Sequence, residues 1–166
     1  KEAIHAYGVA EQKIKILPLA TALNTKNNIK KKTLKNQKIK ILFVGNISFA
    51  KGFPYFAEAQ KILAKDNRFQ FYAIGDIHIP KEVIQKNEWN VTYTGRLNNH
   101  DLAEFYNHSH ILIFPTLSEG FGQVQLEAMA YGVPVIATRK CGDVVIDGIN
   151  GKLVETCNSE QIAQAI

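Results

Sequence analysis

Residues 111–138 read ILIFPTLSEGFGQVQLEAMAYGVPVIAT. The first four, Ile111 to Phe114, are a short apolar run of strand type that stops at Pro115. A glycine-containing turn follows, with Gly120 and Gly122. Gln123 to Tyr131 then has the composition of a helix, and Gly132 suits its left-handed end. Val135 to Ala137 is apolar again. A continuous apolar run, a turn, a helix and a second apolar run make up the repeating unit of a parallel sheet covered on both faces.

The same rhythm extends outward. Upstream, Ile39–Val44 ends at Gly45, Phe69–Ile74 at Gly75 and Val91–Tyr93 at Gly95, each as a predicted strand. Helices are predicted over 53–65, with Pro54 in the first turn, and over 80–88 and 101–106, with Asn98 and Asn99 as caps. Downstream, 152–154 is a further strand and 159–166 a helix. The fold class is therefore α/β, a doubly wound parallel sheet, with ligands expected beyond the carboxyl ends of the strands. Residues 13–17 (KIKIL) alternate and predict one more short strand. Residues 20–38 are rich in Asn and Lys and read as a linker, so the domain proper spans 39–166.

A chain of 166 residues holds one ordinary domain and buries about two-thirds of its unfolded surface without a disulfide or metal staple. Apolar residues at 46% and charged residues at 21% exclude a disordered chain. No run is long enough for a membrane span, and the opening KEAIHAYG is too polar for a secretory leader. Two cysteines, Cys141 and Cys157, give no disulfide framework and make a reduced, cytosolic setting the default. The chain opens without Met and reads as a piece of a longer protein. Net charge is +5, but residues 26–40 hold seven of the 20 basic residues and none of the 15 acids, so the remainder is slightly acidic. That stretch reads as a solvated linker at the back of the domain before it reads as a patch for anionic lipid or nucleic acid. No aromatic residue interrupts it, so no base-stacking platform and no nucleic-acid partner are expected.

The chemistry should sit in the loops after the strands. In 118–127 (SEGFGQVQLE) the glycines allow close backbone approach, and the N–H groups of the first helical turn attract anions. Glu119 lies in the loop and Glu127 near the second turn of the helix. Carboxylates beside a diphosphate would repel it, so they fit neutral hydroxyls of a ribose or a sugar. Residues 45–52 (GNISFAKG) offer Lys51 as a phosphate counter-charge, although the loop fits neither G-x-G-x-x-G nor the P-loop pattern. Turn glycines, surface acids and a surface lysine are the plainer readings of both segments. No D-x-D pair suggests a metal, and no metal or other cofactor is expected. His5, His78, His100, His108 and His110 read as structural or solvated, and Cys141 as an inert thiol.

Together, VGNISFAKG, YAIGD, VTYTGRLNNHDLAEFYNHSHILIFPTLSEGFGQVQLEAMAYGVPVIAT and DGINGKLV resemble the C-terminal half of the retaining, nucleotide-sugar-dependent glycosyltransferases of family 4. Those enzymes have two Rossmann-like domains, the GT-B architecture. Glu119 and Glu127 match the family's E-x7-E pair, and 1–38 resembles the interdomain segment that leads into the second domain. The resemblance implies a donor site for a UDP- or GDP-sugar. Glu127 would bind the ribose. Glu119 with the backbone of Gly120, Phe121 and Gly122 would hold the hexose. Gln123 and Val124 at the helix start would face the diphosphate, Lys51 would pair with it, and Gly45 and Asn46 would border it. Gly75, Arg96 and Leu97 would border the base. Catalysis would draw on Glu119 and Lys51. Glu127→Gln should then weaken free nucleotide, and Glu119→Gln only the sugar-bearing donor.

The resemblance further implies a saccharide or lipid-linked acceptor held by an N-terminal domain, and a cytoplasmic enzyme with peripheral membrane contact as an added option. Asn46 stands where the family usually has arginine, and Cys141-Gly142-Asp143 replaces a longer glycine-rich segment ending in glutamate. The alternatives are a degenerate, non-catalytic nucleotide-sugar-binding module and a GT-B-like sugar-nucleotide epimerase.

Overall fold

β-Branched, aromatic and leucine side chains predominate in Ile39–Val44, Phe69–Ile74, Ile111–Phe114 and Val135–Thr138, and each of these runs is a strand. The structure, a computed structural model, describes residues 7–15 and 38–166. In chain order the elements are β1 (Ile39–Val44), α1 (Phe53–Ile62), β2 (Phe69–Ile74), α2 (Lys81–Asn87), β3 (Thr92–Gly95), α3 (Asn99–Asn107), β4 (Ile111–Phe114), α4 (Gln123–Ala130), β5 (Val135–Thr138), β6 (Gly151–Val154) and α5 (Ser159–Ala165). The six strands form one sheet in the order β3-β2-β1-β4-β5-β6. Every pairing is parallel, with Ile41 opposite Phe71 on one side and Ile111 on the other. This is the doubly wound, Rossmann-like arrangement expected. The strand order reverses between β1 and β4, which opens a crevice at their carboxyl ends.

Side chains alternate across the sheet and both faces are buried. On one face Ile41, Phe43, Phe71 and Ile113 pack against Phe53 and Phe56 of α1 and Ile162 of α5. The Phe43 and Phe53 rings meet edge to face at 5.3 Å between centroids. On the other face Leu42, Leu112, Phe114 and Val135 pack against Tyr106 of α3 and Ala128 of α4.

The structure departs from the sequence reading in a few places. Glu11–Lys13 is a 3-10 turn, and Ile14 and Lys15 join no strand. Lys13 N–H and Ile14 N–H bond back to Ala10 and Glu11, so local turns take the donors a strand would need. Residues 16 and 17 of the predicted strand, and the predicted linker from 20 to 37, lie outside the described residues. Lys40, the last lysine of the basic stretch, belongs to β1, and its N–H donates to His110 Nδ1 at 3.0 Å. α3 begins two residues earlier than predicted, because Asn98 Oδ1 accepts the Asp101 N–H at 3.0 Å and caps it. α1 ends at Ile62 rather than Lys65, and β3 starts at Thr92 and runs on to Gly95. Among the described residues, no helix is long and apolar enough to cross a membrane.

Candidate functional site

Because the strands are parallel, the loops after β1, β2, β3 and β4 open on one edge. Backbone bonds lace them together. Gly45 N–H donates to Ile74 O (2.9 Å), Gly75 N–H to Gly95 O (3.0 Å) and Ile47 N–H to Asp76 O (2.8 Å). Gly75 has φ +139°, and a Cβ there would lie 2.1 Å from the Gly45 carbonyl oxygen. Glycine is thus required where these two loops touch.

The first of these loops carries Lys51. Gly52 caps α1 with φ +71°, and a Cβ on it would sit 1.9 Å from the Pro115 carbonyl oxygen. Leu117 N–H donates to Ala50 O at 2.9 Å. The loop after β1 therefore rests directly on the loop after β4, and Lys51 Nζ donates to Glu119 Oε2. The two side chains are 28% and 25% exposed, so the ion pair is open to a ligand from solvent. Glu119 Oε1 also accepts the Gly120 N–H at 3.1 Å.

Gly122, at φ +78°, turns this loop into α4. The first N–H groups of a helix have no intrahelical partner and form its positive end. Gln123 and Val124 supply them here, a few residues along the chain from Glu119. Glu127 lies one turn further along. Its Oε2 accepts the Tyr106 hydroxyl at 3.4 Å. Tyr106 is buried, and its ring stacks on Tyr131 at 5.6 Å. Burial first, and then the Glu127 charge, push the Tyr106 phenol well above its ordinary range, so it remains a proton donor.

The structure brings Lys51, Glu119, Gly120, Phe121 and Gly122 together, with Glu127 on the helix they lead into. Gly45, Asn46 and Gly75 lie on the same edge. Arg96 is exposed and follows Gly95, whose carbonyl accepts the Gly75 N–H. Leu97 packs within the second core cluster and lines a groove with Lys40, Phe105 and His108. Sequence reasoning missed Tyr106 and Gln125. Gln125 is fully buried, and its Nε2 donates to Phe121 O (3.2 Å), Gly122 O (3.3 Å) and Cys141 Sγ (3.5 Å). Neither carries a signal in the sequence: Gln125 reads as one more helix residue, and nothing marks Tyr106. Cys141 donates to Thr138 O at 3.2 Å. Burial raises its pKa, Gln125 opposes that, and the Glu119 and Asp143 charges add to it, so it is a poor nucleophile at neutral pH. A groove of about 480 Å³ lies elsewhere, lined by Ile111, Val133, Gly148 and Ile149 at the amino ends of β4 to β6. Lys152 is the one charged side chain among its lining residues, so it lacks the paired charges of the strand-end edge.

Comparison with known proteins places these features in a family. The family model described as glycosyl transferases group 1 matches residues 38–166. An uncharacterized 41.2 kDa protein in the cps region of Klebsiella pneumoniae is 32% identical over 95% of this chain and 46% of its own length. The capsular polysaccharide biosynthesis glycosyltransferase CapM of Staphylococcus aureus is 33% identical over 86% of this chain and 40% of its own. The chain thus spans less than half the length of these relatives. The C-terminal domain of a glycosyl transferase group 1 family protein, LpcC of Francisella tularensis, is 28% identical in its crystal structure. It matches 77% of this chain and 73% of its own, with a TM-score of 0.67. The Rossmann-like domain of GT-B type is thereby accounted for: the chain belongs to the glycosyl transferases group 1 family.

Proposed function

We propose that this chain is the donor-binding half of a retaining glycosyltransferase that moves a hexosyl unit from a UDP- or GDP-sugar to a saccharide or lipid-linked acceptor. One observation carries the reading. Lys51 and Glu119, 68 residues apart, meet at the carboxyl ends of β1 and β4 beside the start of α4. A cation, a carboxylate and a helix N-terminus at one point suit a ligand that is an anion at one end and a polyol at the other.

In that reading Lys51 and the first N–H groups of α4 face the diphosphate. As the glycosidic bond breaks, negative charge grows on the leaving diphosphate, and fixed donors aimed there stabilise it more than the ground state. Glu119 accepts bonds from hexose hydroxyls, and Glu127, steadied by Tyr106, accepts from the ribose. Gly45 and Asn46 border the diphosphate, and Gly75, Arg96 and Leu97 border the base. Acceptor binding belongs to a further, N-terminal domain.

Lys51 and the helix dipole supply the counter-charge, so binding needs no metal. Calorimetry against UDP, GDP, ADP and their sugar conjugates tests the reading. One uridine or guanosine nucleotide should bind, equally well with EDTA present, and Lys51→Ala should weaken it by about tenfold or more. No binding of any nucleotide, or binding that EDTA abolishes, would reject it. A non-catalytic nucleotide-sugar-binding module remains the second reading, favoured by the neutral Asn46. It predicts donor binding without turnover when the full-length protein is assayed.

A further inference from the structure

Gln125 puts a carboxamide in a place where an apolar side chain would suffice for packing. It is fully buried, and its Oε1 has no hydrogen-bond partner, a cost that a methionine would not carry. Its Nε2 has two hydrogens, and the two carbonyls beneath them belong to consecutive peptides, those of Phe121 and Gly122. In a trans peptide the C=O and the following N–H point in opposite directions. A carboxamide that draws both carbonyls inward therefore turns the N–H groups of Gly122 and Gln123 outward, away from Gln125.

We infer that Gln125 is a positioning residue for the donor diphosphate: by holding the Phe121 and Gly122 carbonyls it aims the Gly122 and Gln123 N–H groups at the anion. This rests on the donor-site reading above. The same carboxamide reaches Cys141 Sγ, and Gly142 N–H donates to Phe121 O at 3.2 Å, so the loop over 139–143 is tied to the same two peptides. Gly142 leaves no room to adjust, since a Cβ there would lie 2.6 Å from the Phe121 ring. Gly122 is equally confined, between the Phe114 ring and Gln125 Nε2.

Removing the carboxamide leaves neither carbonyl unpaired. Phe121 O keeps Gly142 N–H, and Gly122 O keeps the Gln125 N–H at 3.1 Å. Gln125→Met preserves the side chain's reach and should fold with an unchanged or higher Tm. What it loses is the common anchor that fixes the two peptide planes relative to one another.

The experiment titrates wild type and Gln125→Met with UDP and GDP, and with uridine and guanosine, which carry no phosphate. The variant should lose about five- to tenfold in affinity for the nucleoside diphosphate and keep its affinity for the nucleoside. In wild type, the Gly122 and Gln123 amide resonances should be among those that shift on adding the diphosphate. Equal losses for nucleoside and diphosphate, no loss for either, or unmoved Gly122 and Gln123 amides in a wild type that binds, would overturn the role of Gln125. Failure of wild type to bind either diphosphate would instead remove the donor-site reading, and this inference with it. Should Gln125→Met not fold, the amide shifts of wild type decide alone.

Discussion

Lys51 and Glu119 read from the sequence as two separate contacts, one for phosphate and one for sugar. The structure pairs them, and the pairing changes what a substitution should do. Read separately, Glu119→Gln leaves free nucleotide unaffected. With the pair in place, the substitution frees Lys51, so UDP or GDP should bind up to about fivefold more tightly, in proportion to the modest worth of a part-exposed ion pair. Donor sugar should still bind less well relative to free nucleotide. Glu127→Gln has no such release, and should weaken both by about tenfold or more through loss of charge-assisted bonds to two hydroxyls. Titrations of the two variants with nucleotide and with nucleotide-sugar give four affinities. Equal weakening of free nucleotide by both substitutions would undo these assignments. Gly52 offers a cruder test of the same contact. An alanine there combines left-handed backbone strain with a clash into the Pro115 carbonyl, and should cost about 3 kcal/mol or more in urea unfolding.

At the scale of elements, the loop between β5 and β6 is held by Asp147. Its Oδ1 accepts the Leu153 N–H at 2.8 Å and its Oδ2 the Lys152 ammonium at 3.2 Å. The Leu153 N–H, and after it Lys152, hold the Asp147 carboxyl below its usual pKa. A depressed carboxyl stabilises the fold above its unfolded value of about 4, and that contribution fades as pH falls through the lower, folded value. Asp147→Asn should therefore flatten the acid limb of a Tm-versus-pH curve; an unchanged acid limb would show that the loop is held by other groups. The elements themselves were largely legible. Apolar strands ended by glycine, Pro54 in the first turn of α1 and Asn98 ahead of α3 carry their signals locally. Legibility stopped where meaning depended on contact across the chain. KIKIL alternates like a strand, yet 3-10 turns take its first donors. Glu119 and Lys51 were visible as charges, but their pairing depends on Gly52 lying against Pro115, which no spacing in the sequence states. Gln125 looked like one more helix former because burial is a property of the fold.

At the scale of the molecule, the strand order sets the order of events as the chain is made. β1 lies in the interior of the sheet, and its second neighbour, β4, follows it by 70 residues at the pairs Ile41–Ile111 and Leu42–Leu112. While a ribosome is still producing α2, β3 and α3, one side of β1 has no partner, and it presents open N–H and C=O groups beside Leu42. Such an edge invites pairing with another nascent chain, and contacts this distant in sequence close slowly. A polypeptide ending at Asn107 should therefore sediment as aggregate or stay bound to chaperones, whereas one reaching Ile166 should remain in the supernatant. The crevice between β1 and β4 is thus also the seam between the strand partners farthest apart in the chain, and the interval before residues 111–114 emerge is when β1 most needs protection.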